Sequence, residues 1–195
     1  MARLARAFFE RRSPAVAKDL IGRLLVRVAD GTRLAGVVVE TEAYRGSRDP
    51  ASHAYRGKTK RNEVMFGPAG IAYVYFTMGA HYCLNVTTER EGVAAAVLIR
   101  AIQPVEGAEK MKANRGVTEA TKVASGPGNL TRALGIGGEF NGEDMATSGR
   151  LFFEEGQGAR NIGVSTRVGV SVGKSFRWRY YEGGNPFVSK GRLSS

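Results

Sequence analysis

The segment VVVETEAY at residues 37–44 decides the fold, because it joins a buried strand to a group of polar side chains. Consecutive valines are typical of a core strand, and this strand ends in two carboxylates and a phenol. Side chains alternate between the faces of a strand, so Val38, Glu40, Glu42 and Tyr44 are predicted to share one side. This pattern predicts a strand that leaves the core at the floor of a pocket. The alternative is that the carboxylates are solvated or paired with nearby arginines.

Further strands are predicted on both sides of this segment. Asp30-Gly31 joins the apolar runs 24–28 and 34–39 and is a hairpin signal. A second hairpin is predicted from 71–76 and 82–87, closing near Gly79-Ala80, and 93–102 reads as a third long strand. Shorter strands are predicted at 151–153, 164–170 and 176–181.

Helices are predicted to be few and short. Ser13-Pro14 is a helix-start signal with Gly22 as a stop, Pro104 is expected to begin a charged helix that ends near Asn114, and residues 130–134 form another. The polar segment 45–70 is long for a loop, which predicts a functional or partly helical stretch. The fold class is therefore α+β, a single domain over residues 1–195 with a mainly antiparallel sheet and less ordered termini.

The charge of the chain indicates a polyanionic partner. Among 195 residues there are 29 Lys and Arg against 18 Asp and Glu, a net charge of +11. Positive charge spread along a chain favours nucleic acid over a membrane surface, which would call for a concentrated basic amphipathic helix. No run approaches membrane-spanning length, so we expect no membrane association and an intracellular location, either cytoplasmic at the bacterial nucleoid or nuclear.

Cysteine and histidine are too few for several kinds of site. Cys83 is the only cysteine, so an intramolecular disulfide is impossible, and a reducing compartment fits. With only His53 and His81 besides, no zinc-finger or zinc-deaminase ligand set can be assembled. We expect no metal and no cofactor.

Aromatic and polar side chains are predicted to meet near the second hairpin. Tyr73 and Tyr75 share a face of one strand, and the turn brings Asn85 within one register step of Tyr75. Such aromatics are often core packing. With polar neighbours on a basic protein, they also suit a pocket for a base removed from a nucleic-acid helix. Arg100 ends an apolar strand, where it is either a surface arginine or a partner that keeps a carboxylate ionised.

These residues lie in blocks that resemble the alkyladenine DNA glycosylase family, also called 3-methyladenine DNA glycosylases. The resemblance runs from about residue 8 to 189. Its collinear blocks are VVETEAYRG at 38–46 with DPASHAYRG following, RNEVMFGPAGIAYVYFTMGAHYCLN at 61–85, VLIRAIQPVEG at 97–107, SGPGNLTRALGI at 125–136 and RVGVS at 167–171. It implies a curved sheet with a protruding β-hairpin, and a monomeric, monofunctional enzyme that acts on double-stranded DNA with alkylated or deaminated purines.

The resemblance also implies roles for individual residues. Glu42 matches the general base that activates water, and Arg100 and the backbone carbonyl of Val168 match groups that hold this water. Tyr44 matches the ring on one face of the flipped base. The remaining matches are His53 and Tyr75 on the other face and Asn85 as the amide that crowds the 2-amino position of guanine.

One position departs from the family pattern. Where the family usually carries a tyrosine that enters the duplex at the hairpin tip, this chain has Met78. Methionine is apolar and flexible and can enter a base step, but it lacks a flat ring that stacks between bases.

Three other functions compete with this one. A basic DNA-binding module without catalysis would explain the charge but leave Glu42 and Arg100 without a role. Leu134–Gly138 vaguely resembles the glycine hairpin of helix-hairpin-helix glycosylases. A metal nuclease could use Glu40 and Glu42, but same-face neighbours on a strand are about 7 Å apart, too far to chelate one ion without further ligands.

Overall fold

The computed structural model describes residues 1–159 and 161–190 and has one curved, mainly antiparallel sheet with short helices. The expected loss of order at the C-terminal end falls partly on residues outside this description. The helices are α1 (Arg6–Phe9), α2 (Ser13–Asp19), α3 (Ala108–Arg115) and α4 (Pro127–Leu134). The strands are β1 (Leu24–Ala29), β2 (Thr32–Tyr44), β3 (Ala72–Thr77), β4 (His81–Thr87), β5 (Ala96–Glu106), β6 (Leu151–Glu154), β7 (Ile162–Ser165) and β8 (Arg179–Glu182).

Strand β2 organises the sheet. The strand order is β3-β4-β5-β2-β1-β6, and β8 pairs with both β2 and β7. Along one edge β2 pairs first with β1, up to Val37, and then with β8 from Glu40 onward. Its other edge pairs with β5 as far as Tyr44. The end of β2 is therefore held between two strands, which fixes the position of Glu42 and Tyr44.

The alternation of β2 changes at Val39 and Glu40. Val38 packs in the main core together with Ala43, although the two residues are an odd number of positions apart. The register against β5 shifts on both sides of Glu40, as in a β-bulge, which changes the faces that side chains point to. The prediction that Val38 shares a side with Glu40, Glu42 and Tyr44 is therefore wrong. The polar side chains lie on the face opposite the core.

Several predicted elements are confirmed, and others have different bounds. Both hairpins form, and Asp30 and Gly31 have positive φ angles, as the turn chemistry requires. Residues 45–70 contain short 3₁₀ helices at Gly46–Arg48 and Glu63–Phe66, so the segment is partly helical. The helix predicted to begin at Pro104 begins at Ala108, because β5 continues beside β2 to Glu106 and Pro104 pairs with Gly36 at a register shift, where a strand tolerates proline.

The C-terminal strands are shorter than predicted. In place of strands at 164–170 and 176–181, the structure has Ile162–Ser165 and Arg179–Glu182. Residues 166–178 between them, here called the covering loop, lie over the end of β2: the Arg167 side chain donates to the carbonyl of Ala43, and the Ala43 amide donates to the carbonyl of Trp178.

Two further observations concern helices. Among residues 135–159 and 161–190, the helical element that follows α4 is a 3₁₀ turn at Gly138–Phe140, where Gly138 lies close to Tyr82, so the helix-hairpin-helix interpretation of this glycine-rich segment is wrong. In the described part of the chain, every helix is too short or too polar to cross a bilayer.

Candidate active site

Glu42 contacts three residues that line a cavity of about 520 Å³, namely Tyr44, Arg100 and Val168. The Glu42 side chain is fully buried. Its Oε1 accepts a hydrogen bond of 2.7 Å from the backbone amide of Val168, and its Oε2 accepts one of 2.9 Å from the Tyr44 hydroxyl. Arg100 Nη1 lies 3.4 Å from Oε1. The bulge, β5 and the covering loop thus bring three donors to one carboxylate.

Glu40 holds the arginine that faces Glu42. Its Oε1 accepts from Nε of Arg100 and Nε of Arg179, both at 2.7 Å, and its Oε2 accepts from the Ser189 amide at 2.8 Å. Burial opposes the negative charge, but Arg100, Ser189 and Arg179 lower the pKa of Glu40 below its usual value. The expectation of an arginine behind the carboxylates is confirmed, and Glu40 is a structural partner of that arginine.

The wall of the cavity is aromatic. The ring centroids of His53 and Tyr75 are 4.5 Å apart, and those of Tyr73 and Tyr75 are 5.3 Å apart. His53 Nδ1 is hydrogen-bonded with the Tyr73 hydroxyl at 2.9 Å. Burial and then Arg61 lower the pKa of His53, so the imidazole is neutral near pH 7. Burial raises the pKa of Tyr73 to about 12, so its phenol keeps its proton.

Tyr44 lines the same cavity, but it contacts Glu42 and Arg167 rather than the aromatic wall. Its hydroxyl donates to Glu42, and its ring is covered by the guanidinium of Arg167, 4.6 Å from the ring centre. Burial and then Glu42 raise the pKa of Tyr44 well above its ordinary value, so the hydroxyl stays a donor. Neither Arg167 nor its partner Asp49 was predicted for the site, although both lie in the quoted blocks, in RVGVS and DPASHAYRG.

Asn85 is nearly buried and lies opposite Tyr73 on the second hairpin. Its amide nitrogen donates to the carbonyl of Tyr73 at 3.0 Å, which fixes the direction of the side chain. Cys83 also lines the cavity, and burial raises the pKa of its thiol.

Met78 lies at the tip of this hairpin and is 87% exposed. It and Gly79 are the central residues of a turn closed by the Ala80 amide and the Thr77 carbonyl, with φ angles of 53° and 63°. A methionine at positive φ is uncommon, because its Cβ crowds the backbone there. The turn therefore holds an apolar side chain outward at the mouth of the cavity.

The structure thus brings all the predicted site residues together. The cavity lining includes Tyr44, His53, Tyr75, Met78, Asn85, Arg100 and Val168, and Glu42 lies beneath them. None of these residues is among those that line a larger cavity, of about 610 Å³, beside the Arg45–Glu89 ion pair. In residues 1–159 and 161–190, no group of three or more His, Cys, Asp or Glu side chains is placed to hold a metal ion.

The charges around Glu42 balance. Three buried acids, Glu40, Glu42 and Asp49, accompany three buried arginines, Arg100, Arg167 and Arg179. The excess positive charge of the chain therefore comes from other residues, including the basic segment Arg56–Arg61 near the aromatic wall.

Comparison with known proteins identifies the family of the chain. Residues 7–186 match the family model described as "Methylpurine-DNA glycosylase (MPG)". A protein of Carboxydothermus hydrogenoformans is 49% identical over 96% of this chain and 98% of its own length. Relatives from Methanoculleus marisnigri (48%; 96% of this chain and 98% of the relative) and Chlorobium phaeobacteroides (46%; 96% of each) are similar over nearly their whole length. All three carry the name "Putative 3-methyladenine DNA glycosylase".

Proposed function

The chain belongs to the methylpurine-DNA glycosylase family, and from this we propose that it removes damaged purines from double-stranded DNA and leaves an abasic site. The proposed substrates are 3-methyladenine, 7-methylguanine, hypoxanthine and ethenoadenine. The observation that carries the proposal is a buried carboxylate, Glu42, beneath an aromatic cavity in a protein of net charge +11.

The proposed reaction needs one water and no cofactor. Glu42 takes a proton from water as the water oxygen bonds to C1′ of the flipped nucleotide. The C1′–N bond breaks, and its electrons leave with the base. A cationic alkylated purine leaves as a neutral molecule, whereas a neutral lesion such as hypoxanthine leaves as an anion that takes up a proton from solvent. The carboxylate also stabilises the positive charge that develops on the sugar.

The neighbours of Glu42 suit this role. Oε1 faces the Val168 amide and Arg100, and Oε2 accepts from the Tyr44 hydroxyl, which leaves Oε2 a further lone pair; Arg100 and Val168 both line the cavity. Water held between Glu42, Arg100 and the Val168 carbonyl would lie beside a base enclosed by Tyr44 on one face and His53 and Tyr75 on the other. Electron-rich ring faces attract a cationic purine.

An excision assay tests the proposal. Duplexes with one lesion each are incubated with excess enzyme, and the free base is measured by chromatography. Glu42→Gln should still bind the duplex, and excision should slow by about 10²- to 10⁴-fold, because the amide cannot accept the proton. The matched control is Glu154→Gln. It removes the carboxylate of Glu154 on β6, which is paired with Arg33 on β2.

The outcomes separate the competing functions. Excision by Glu42→Gln at the wild-type rate would contradict the assigned base. DNA binding by the wild type without release of any base would favour the non-catalytic module. Strand scission without free base would favour a nuclease, which the structure does not otherwise favour, because protein donors occupy both oxygens of Glu40. A monofunctional enzyme should leave no adduct after borohydride reduction.

A further inference from the structure

A guanidinium lies against the ring of Tyr44, which lines the cavity. The Arg167 side chain is fully buried and is absent from the cavity lining, so it covers the face of the ring turned away from the cavity. The same guanidinium lies 5.4 Å from the centre of a Trp178 ring, which stacks on Phe176 at 4.3 Å and an angle of 8°. The layers behind the cavity are therefore a phenol, a cation and an aromatic pair.

Asp49 neutralises this cation at close range. Its two carboxylate oxygens accept from Nη1 and Nη2 of Arg167 at 2.5 and 2.7 Å, and Asp49 is fully buried. The amides of Arg45 and Ala51 also donate to the carboxylate. Burial opposes the charge of Arg167, but the hydrogen bonds and the negative charge of Asp49 raise the pKa of Arg167, so the guanidinium stays charged. The pair is neutral as a whole.

The charge behind an aromatic ring affects what binds in front of it. A cation held against one face draws on the same ring quadrupole that would attract a cation on the other face. A cationic base stacked on Tyr44 would lie about 8 Å from the guanidinium, where two unit charges in a protein-like dielectric interact strongly enough to change an equilibrium roughly tenfold or more. A neutral base, such as hypoxanthine, would not experience this repulsion.

We propose that the Asp49–Arg167 ion pair determines lesion specificity, because Asp49 cancels the charge behind Tyr44 and so allows the site to accept cationic purines. The inference rests on the proposed glycosylase function and adds the electrostatic basis for handling both cationic and neutral lesions. The guanidinium disfavours cationic lesions relative to neutral ones during the reaction as well. A cationic lesion keeps a net positive charge up to bond cleavage, whereas a neutral lesion develops negative charge on its base.

A different role for the pair would be purely structural. Arg167 also donates to the carbonyl of Ala43 and thereby attaches the covering loop to β2. If attachment were its whole effect, loss of either partner would slow the excision of every lesion by the same factor. The ratio of rates for a cationic and a neutral lesion distinguishes the two roles.

The experiment measures this ratio at pH 8 under single-turnover conditions. The enzyme is in excess over DNA, and its concentration is below the dissociation constant for DNA. Release of 3-methyladenine from methylated DNA is divided by release of hypoxanthine from an inosine duplex. Asp49→Asn leaves an uncompensated cation behind Tyr44 and should lower the ratio about tenfold. The double variant Asp49→Asn/Arg167→Met removes both charges and should return the ratio to near the wild-type value. Glu154→Gln, at a distant buried carboxylate, should leave it unchanged.

A second variant keeps the test decisive if Asp49→Asn does not fold. Arg167→Met leaves Asp49 as an uncompensated anion and should raise the ratio of 3-methyladenine to hypoxanthine release. This change is opposite to the one expected for Asp49→Asn. An unchanged ratio in a folded Asp49→Asn or Arg167→Met variant, whatever the absolute rates, would overturn the proposal. If the wild type released neither base, the proposed function itself would fail, and that result is distinct from an unchanged ratio.

Discussion

Replacement of Glu40 with glutamine tests how strongly the buried charges hold the site together. Glu40 is fully buried and accepts hydrogen bonds from Arg100, Arg179 and the Ser189 amide. In Glu40→Gln, Arg100 keeps Glu42 as an acidic neighbour, Arg179 loses the ion pair that the structure shows for it, and an amide nitrogen of the new side chain faces a donor. Breaking a buried ion pair by removing one partner costs about 3–5 kcal/mol.

The expected loss is large enough to measure directly. In a chain of this size each 1 kcal/mol shifts the melting temperature by about 2–4 °C, so Glu40→Gln should melt about 6–20 °C below the wild type. The matched control is again Glu154→Gln, whose carboxylate is paired with a partly exposed arginine and should cost less. The double variant Glu40→Gln/Arg179→Met removes the excess charge and should recover part of the loss.

The free energy of unfolding at acid pH provides a second measurement of the contribution of the Glu40 carboxylate. The pKa of Glu40 is lowered on folding, so its contribution is present in full above the ordinary value of 4.5 and is lost as pH falls through the folded value. Urea unfolding as a function of pH should therefore show a shallower decline below pH 4.5 in Glu40→Gln than in the wild type. A melting temperature within about 2 °C of wild type, together with an unchanged decline at acid pH, would refute the view that Glu40 neutralises Arg100 and Arg179.

Three further predictions concern DNA. Asn85→Ser opens the cavity beside Tyr73, so excision of guanine should rise relative to hypoxanthine; an unchanged ratio of the two products would place the discrimination elsewhere. Met78→Ala should lower the flipped population of a 1,N6-ethenoadenine duplex in stopped-flow fluorescence, and Met78→Tyr should slow return of the base; equal amplitudes in both variants and the wild type would remove Met78 from flipping. Finally, the logarithm of affinity should fall steeply with that of salt concentration, because the basic segment Arg56–Arg61 would displace counterions; a flat dependence would argue against phosphate contacts.

Local sequence signals predicted the frame of the site correctly. The valines of β2, the glycine turn of the first hairpin and the paired tyrosines of β3 each act over a few residues, and the structure has them where the pattern indicated. The proximity of Tyr75 and Asn85 follows from the second hairpin, whereas Glu42 and Tyr44 are brought to them by β5, which pairs with both β2 and β4.

The remaining features depend on contacts between distant parts of the chain. The bulge at Val39 and Glu40 is set by pairing with β5 and β8, and strict alternation therefore gave the wrong face for Val38. Residues 166–170 and 176–178 of the covering loop lie in segments that the sequence predicts to be strands. Its conformation is instead fixed by side chains such as Arg167, which is paired with a residue 118 positions away. Spacing in the sequence carries no signal for such a pair.

The bulge in β2 also decides which parts of the site can move independently. The strand is continuous from the core residue Val38 to Tyr44, so Glu42 cannot leave its place unless a central strand separates from both neighbours. The covering loop is joined to β2 by hydrogen bonds of Arg167, Val168 and Trp178 and does not pair with it as a strand. The amide hydrogen of Thr41 should therefore exchange with solvent only through global unfolding, whereas those of Val168 and Ala43, whose hydrogen bonds join the covering loop to β2, should exchange through local opening of the loop. Opening of the covering loop then controls access to the Glu42 carboxylate, while the position of this carboxylate is as stable as the fold.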